Sequence, residues 1–157
     1  MTRDTLTIQP ELPRQPDVLR LLDEAEATSP YPAASRHHAS LDVLEQRVRF
    51  FVARQNGEVV ATGGYLPDGE GQAELKRIFV SPRVRGLGIG RRMLASLEQA
   101  ALDERVRLMQ LETGVRSLEA LAMYRHASYR ERGPFGVYGP DPLSVFMEKS
   151  LAAMHHT

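Results

Sequence analysis

Ile78-Phe79-Val80-Ser81-Pro82-Arg83-Val84-Arg85-Gly86-Leu87-Gly88-Ile89-Gly90-Arg91-Arg92 is the stretch whose reading decides the fold. Its first part ends a strand, Ala73 to Val80, closed by Ser81-Pro82; its second is a glycine turn that opens a helix. Gly86, Gly88 and Gly90 clear Cβ atoms from the backbone, so N–H groups can approach a ligand. A helix that begins there offers unpaired N–H groups and the positive end of its dipole, which favours an anion, and Arg85, Arg91 and Arg92 add charge-assisted donors. A tight strand-to-helix connection would use the same glycines, so the turn alone leaves both readings standing.

Two phosphate motifs are excluded by the residues. A Walker loop needs G-x-x-x-x-G-K followed by Ser or Thr, and no lysine stands in this turn. The dinucleotide fingerprint G-x-G-x-x-G places Gly three after its second glycine, where this chain has Arg91, and it belongs to a first βαβ unit rather than to a turn that follows a hairpin.

Downstream of the turn, Met93, Leu94, Leu97, Ala100 and Ala101 share one helical face, giving a helix of about four turns. Val106 to Leu111 reads as a strand. Ser117 caps a shorter helix with Leu118, Leu121, Ala122 and Tyr124, and a Gly- and Pro-rich loop precedes a last strand, Ser144 to Met147. Upstream, Leu6 to Ile8 is a short strand, and Asp17 is placed to cap a helix carrying Val18, Leu21, Leu22 and Ala25. Thr28 to Ser40 reads as a surface loop, and Ser40 caps a short helix through Gln46. Val48 to Arg54 and Val59 to Ala61 flank Asn56-Gly57, a hairpin signal of type I′. Gly63-Gly64 marks either a bulge or the close approach of another backbone. Hairpin and crossover portions together predict a mixed α/β (α+β) sheet with helices packed on it.

The 157 residues suit one domain spanning 1–157. Lys plus Arg equals Asp plus Glu at 20 each, so no global field draws the chain to nucleic acid or to an anionic membrane. Only Lys76 and Lys149 are lysines, so nearly all positive charge is arginine. Without cysteine there is neither a disulfide, a thiolate nucleophile nor a thiolate metal site. Met1-Thr2-Arg3-Asp4 carries no apolar signal segment and no apolar run is long enough to span a bilayer, so the cytoplasm is the default expectation. His155-His156 sits at a terminus and is assigned no metal.

Arg83 to Gly90, preceded by Ile78 to Pro82, resembles motif A of the GNAT superfamily of N-acetyltransferases, Q/R-x-x-G-x-G/A, with Arg85, Gly88 and Gly90 at the fixed positions. Ser117 to Tyr129 resembles motif B, A-x-x-x-Y-x-x-x-G followed by Phe or Tyr: Ala120, Tyr124 and Tyr129 match, while Ser128 stands where Gly is usual and Ser117 where Asn is common. In element order the likeness runs from about residue 5 to about 150.

That resemblance implies a mostly antiparallel sheet of six or seven strands flanked by about four helices, and acetyl-CoA as co-substrate with no metal. It implies that Ile78, Phe79 and Val80 meet the pantetheine arm through backbone groups. Gly86, Leu87, Gly88, Ile89 and Gly90 would meet the pyrophosphate with Arg85 and Arg91 beside it, and Ser117 and Tyr124 would join the cofactor site. Tyr124 would protonate the departing thiolate, although an aromatic core residue is its other reading. Glu74 matches the position of a general base, with Glu112 as its rival. Tyr31, His38, Glu112 and Phe135 are the expected acceptor-side residues, with His37 and Tyr138 as further candidates in the same loops. The expected acceptor is a small-molecule primary amine attacking directly in a ternary complex; a peptide amine, or a non-catalytic acetyl-CoA-binding module, are the alternatives. A homodimer is expected, with Val145-Phe146-Met147 either pairing across a two-fold or serving as core.

Overall fold

The computed structural model describes residues 5–31 and 39–151. Among them the order is β1 (Leu6–Pro10), α1 (Pro16–Ala27), α2 (Leu41–Gln46), β2 (Arg49–Gln55), β3 (Glu58–Pro67), β4 (Gln72–Val80), α3 (Ile89–Asp103), β5 (Leu108–Gly114), α4 (Leu118–His126), β6 (Arg130–Arg132) and β7 (Ser144–Ser150). The strands form one sheet in the order β1-β2-β3-β4-β5-β7-β6. Every pairing is antiparallel except β4 with β5. This is the mixed sheet with packed helices that the element order predicted, and the mostly antiparallel sheet with about four helices that the resemblance implied.

Period-two alternation sets the layers. On β2, Phe51 and Ala53 face the cluster built by Met93, Leu94 and Leu97 of α3 and Leu121 and Tyr124 of α4. Phe50 and Val52 face Val18, Leu21 and Leu22 of α1 and Leu44 of α2. The Asn56-Gly57 turn has φ of 52° and 86°, the two positive angles of type I′. At Gly63-Gly64 both alternatives hold. A Cβ on Gly64 would meet Arg49 O at 2.9 Å, and opposite Gly63 the register with β4 slips, two residues of β4 facing one of β3.

Several boundaries differ from the sequence reading. Gln15 rather than Asp17 caps α1, with proline at the start of the helix, because the fixed φ of Pro16 is already helical; Asp17 Oδ1 instead accepts from Val18 N at 2.9 Å. Ser40 does cap α2, its hydroxyl accepting from Val43 N at 3.3 Å. Ser117 precedes α4 without a side-chain cap bond. β5 starts at Leu108 and runs to Gly114. β6, charged throughout and three residues long, was not anticipated. β7 lies between β5 and β6, and Phe146 pairs with Glu112 on one side and Arg132 on the other. Phe146 and Met147 are therefore core residues of an interior strand, and the two-fold pairing once open to them is closed.

Candidate active site

Parallel pairing of β4 with β5 covers only Gln72, Ala73 and Glu74 against Leu108, Met109 and Gln110. Beyond Glu74 the two strands part, and the edge of β4 from Leu75 to Val80 faces β5 without a ladder. A bulge in the pairing of β4 with β3 accompanies the departure. Arg77 has φ of 55°, a left-handed conformation uncommon outside glycine, and its outward carbonyl accepts from the buried Thr62 hydroxyl at 3.0 Å. The Arg77 guanidinium turns into the α1 layer and donates to Ala39 O at 3.0 Å. Burial holds its pKa below the ordinary guanidinium value. Strand splay, bulge and anchor are thus one device.

Between the parted strands lies a cleft of about 1040 Å³. Ile78, Phe79 and Val80 line its β4 wall. Arg85, Gly86, Gly88, Ile89, Gly90 and Arg91 line its far end, where α3 begins. Gly86 and Gly88 have φ of 85° and 78°, angles that would strain any other residue. The first intrahelical bond of α3 runs from Arg92 N to Gly88 O at 3.1 Å. The N–H groups of Ile89, Gly90 and Arg91 therefore project from the helix end as anion donors. Gly90 has a second role, since a Cβ there would press on Met123 Sδ of α4 at 2.5 Å.

Arg85 fixes the turn. Its Nε donates to Val80 O at 3.2 Å, its guanidinium lies 5.6 Å from the Phe79 ring centroid, and Nη1 stands 3.4 Å from Glu119 Oε2 of α4. Leu87 is 64% exposed at the tip and does not line the cleft. Ser117 and Tyr124 line the opposite wall. Tyr124 is 6% exposed, yet its hydroxyl has no hydrogen-bond partner among the described residues and opens onto the cleft. Burial, and then the Glu112 carboxylate, push its pKa above the ordinary phenol value.

Strand parity places the acidic groups on the other face. Ala73 and Leu75 of β4 and Met109 and Leu111 of β5 pack into the α3–α4 core, so Glu74, Lys76, Gln110 and Glu112 point away from it. Glu74 Oε2 receives the Tyr138 hydroxyl and lies 3.0 Å from Lys76 Nζ. Glu112 Oε2 accepts from Ser144 Oγ at 2.7 Å. Tyr31, from the segment after α1, crosses to the end of β5, where its hydroxyl accepts from Arg116 N at 2.6 Å. Its ring covers Gly114 so closely that any Cβ there would overlap it.

Of the expected acceptor-side residues, Tyr31 and Glu112 line the cleft with Glu74. Phe135 does not. It is 9% exposed and packs edge-on against Tyr138 and Phe146 at 5.2 and 5.8 Å, because the loop carrying it folds back onto β7. His37, His38 and His155-His156 lie outside the described residues. Lys76, Arg77 and Ser144 were not singled out from sequence. Lys76 had a signal, since it stands two residues from Glu74 on the same strand face. Among the described residues no cluster of His, Cys, Asp and Glu could hold a metal ion, and no helix is long and apolar enough to cross a membrane.

Known proteins resemble the chain over most of its length. The acetyltransferase (GNAT) family model matches residues 16–129. An IAA acetyltransferase of Azospirillum brasilense is 45% identical over 150 residues, covering 93% of this chain and 98% of the relative. A solved candidate acyl-CoA N-acyltransferase from Klebsiella pneumoniae superposes with a TM-score of 0.78 at 33% identity, over 93% of this chain and 97% of that one. A candidate acetyltransferase from Salmonella typhimurium, solved with its cofactor acetyl-CoA, shares the fold at a TM-score of 0.72 and 18% identity, over 93% of this chain and 94% of that one. The glycine turn, the parted strands and the tyrosine between them therefore have a family: the chain belongs to the GNAT acetyltransferases.

Proposed function

We propose that the protein transfers an acetyl group from acetyl-CoA to a primary amine of a small molecule, by direct attack while both substrates are bound. One observation carries the reading: an anion-binding helix end, an unpaired strand edge, a phenol and a carboxylate open onto a single cleft. The residues fit the cofactor. The open N–H groups at Ile89 to Arg91 and the Arg85 and Arg91 side chains suit a pyrophosphate, and the β4 edge at Ile78 and Phe79, which makes no ladder with β5, suits an amide-bearing arm. Acetyl-CoA supplies an activated acyl group on a thiol leaving group.

Glu74 and Tyr124 do the proton work. Glu74 takes one proton from the acceptor ammonium and the freed nitrogen bonds to the acyl carbon; the carbon–sulfur bond breaks as Tyr124 gives its proton to sulfur, and the second proton lost by the nitrogen restores the Tyr124 phenol. Because burial keeps the Tyr124 phenol protonated, the acid is loaded throughout the neutral range. Glu112, bonded to Ser144, lies where it can orient the ammonium. Tyr31 supports a small acceptor: it lines the cleft with its ring over Gly114 and its hydroxyl on Arg116 N, in space an extended peptide would need. The relative from Azospirillum, an IAA acetyltransferase, supports the reading of a small acceptor.

The test is a panel of amino acids, aryl amines and polyamines assayed for CoA release with a thiol-reactive dye. With no cysteine in the chain, the dye reports only CoA. Turnover with one class of small amine is expected. Turnover only with peptide amines would replace the acceptor assignment, and none with any amine would favour a binding module.

A further inference from the structure

Glu74 does not stand alone on β4. Tyr138, from the loop between β6 and β7 and 64 residues away in sequence, donates its hydroxyl to Glu74 Oε2. Lys76 Nζ lies 3.0 Å from the same oxygen and donates to the Tyr138 hydroxyl at 3.2 Å. Both ends of the ion pair are sheltered, with side-chain exposures of 14% for Lys76 and 17% for Glu74. Glu74 Oε1 has no partner among the described residues, and the residue lines the cleft.

Tyr138 is itself braced. Its ring meets Phe135 at 5.2 Å and Phe146 at 5.5 Å, and its N–H donates to Phe135 O at 3.0 Å. Burial and the Glu74 carboxylate keep its hydroxyl protonated, so it acts as a donor. A glutamate on a strand otherwise samples several rotamers, and a carboxylate that must meet a proton in one geometry gains from having that freedom removed beforehand.

We propose that Tyr138 and Lys76 are positioning residues that together occupy Glu74 Oε2 and leave Oε1 as the oxygen presented to the acceptor ammonium. The proposal rests on the reading of Glu74 as the proton acceptor. It also gives the aromatic cluster a purpose: Phe135, placed on the acceptor side from sequence, acts two contacts away by holding Tyr138.

Tyr138→Phe tests this, because it removes the hydroxyl and retains the packed ring. With the best acceptor from standard amino acids, tryptamine, phenethylamine and spermidine, the variant is expected to lose about tenfold in kcat. The KM for acetyl-CoA and the melting temperature stay at the parent values. In a Glu74→Gln background the same substitution costs nothing further, since it acts through the carboxylate. Lys76→Met loses kcat likewise, and Lys76→Arg recovers much of it. Parent-level kcat in Tyr138→Phe, or a loss that multiplies with that of Glu74→Gln, overturns the positioning role and leaves Glu74 as the base. Full turnover in Glu74→Gln alone overturns the underlying reading, as does the absence of CoA release with every amine tried.

Discussion

Tyr124→Phe removes one hydroxyl from a ring that stays where it is, so chemistry and packing separate. The ring is 6% exposed and stands edge-on to Tyr129 with centroids 5.8 Å apart; phenylalanine keeps both. The hydroxyl has no partner among the described residues, so no buried group is orphaned by its loss. The expected change in unfolding free energy is within about 0.5 kcal/mol. A general acid contributes about 10²- to 10⁴-fold, equivalent to about 3–5 kcal/mol of barrier. Steady-state CoA release should show that fall in kcat, with unchanged acetyl-CoA affinity and an unchanged urea midpoint. Because burial first and Glu112 second raise the Tyr124 pKa, its deprotonation begins only above the ordinary phenol value of about 10. An alkaline limb of kcat well below that pH belongs to another group. Turnover within about threefold of the parent, less than about 0.7 kcal/mol of barrier, would refute the assignment, as would a rate loss that tracks a loss of stability.

Gly114→Ala should evict Tyr31 from the mouth of the cleft, since the new methyl would overlap its ring; the expected result is a raised acceptor KM with acetyl-CoA affinity retained, read from paired titrations. Arg54→Met should cost about 2 kcal/mol in urea unfolding, because Arg54 bonds Glu11 at 3.0 Å and Asp17 at 2.8 Å and ties the β1–α1 connection and α1 to the hairpin. Tyr65, Tyr124, Tyr129 and Tyr138 all have raised pKa values, chiefly from burial. Their folded forms hold protons more tightly than the unfolded chain, so this contribution is complete below about pH 10 and is lost as pH rises through the folded values. Urea midpoints measured from pH 8 upward should be flat at first and then fall, and midpoints that stay flat well past pH 10 would contradict the burial of these phenols.

Local signals in the sequence found what local chemistry controls. The glycine turn was legible because Gly86 and Gly88 must take positive φ, and the hairpin because Asn56-Gly57 does the same. The bulge at Arg77 was hidden, since an arginine there gives no hint of a left-handed angle. Its partners, the Thr62 hydroxyl and the Ala39 carbonyl, are 15 and 38 residues distant. β6 escaped because its three charged residues carry no apolar alternation. Glu74 and Tyr124 were reached through motif position, whereas the Tyr138 contact to Glu74 arises from a loop folding back and leaves no trace in spacing. Phe135 packs behind Tyr138 rather than on the cleft wall for the same reason: an aromatic in a Gly- and Pro-rich loop looks like a lip until the loop's direction is known.

In the proposed function the α3 N-terminus and its glycine turn hold the pyrophosphate of acetyl-CoA. Calorimetric titration with acetyl-CoA and, in parallel, with acetyl-pantetheine, which lacks the pyrophosphate, tests it directly. Acetyl-CoA should bind with an affinity that weakens as salt rises, and acetyl-pantetheine should bind at least about a hundredfold more weakly, as loss of charge-assisted bonds to the phosphates requires. Equal affinity for the two, or no heat with acetyl-CoA at millimolar concentration, would contradict it.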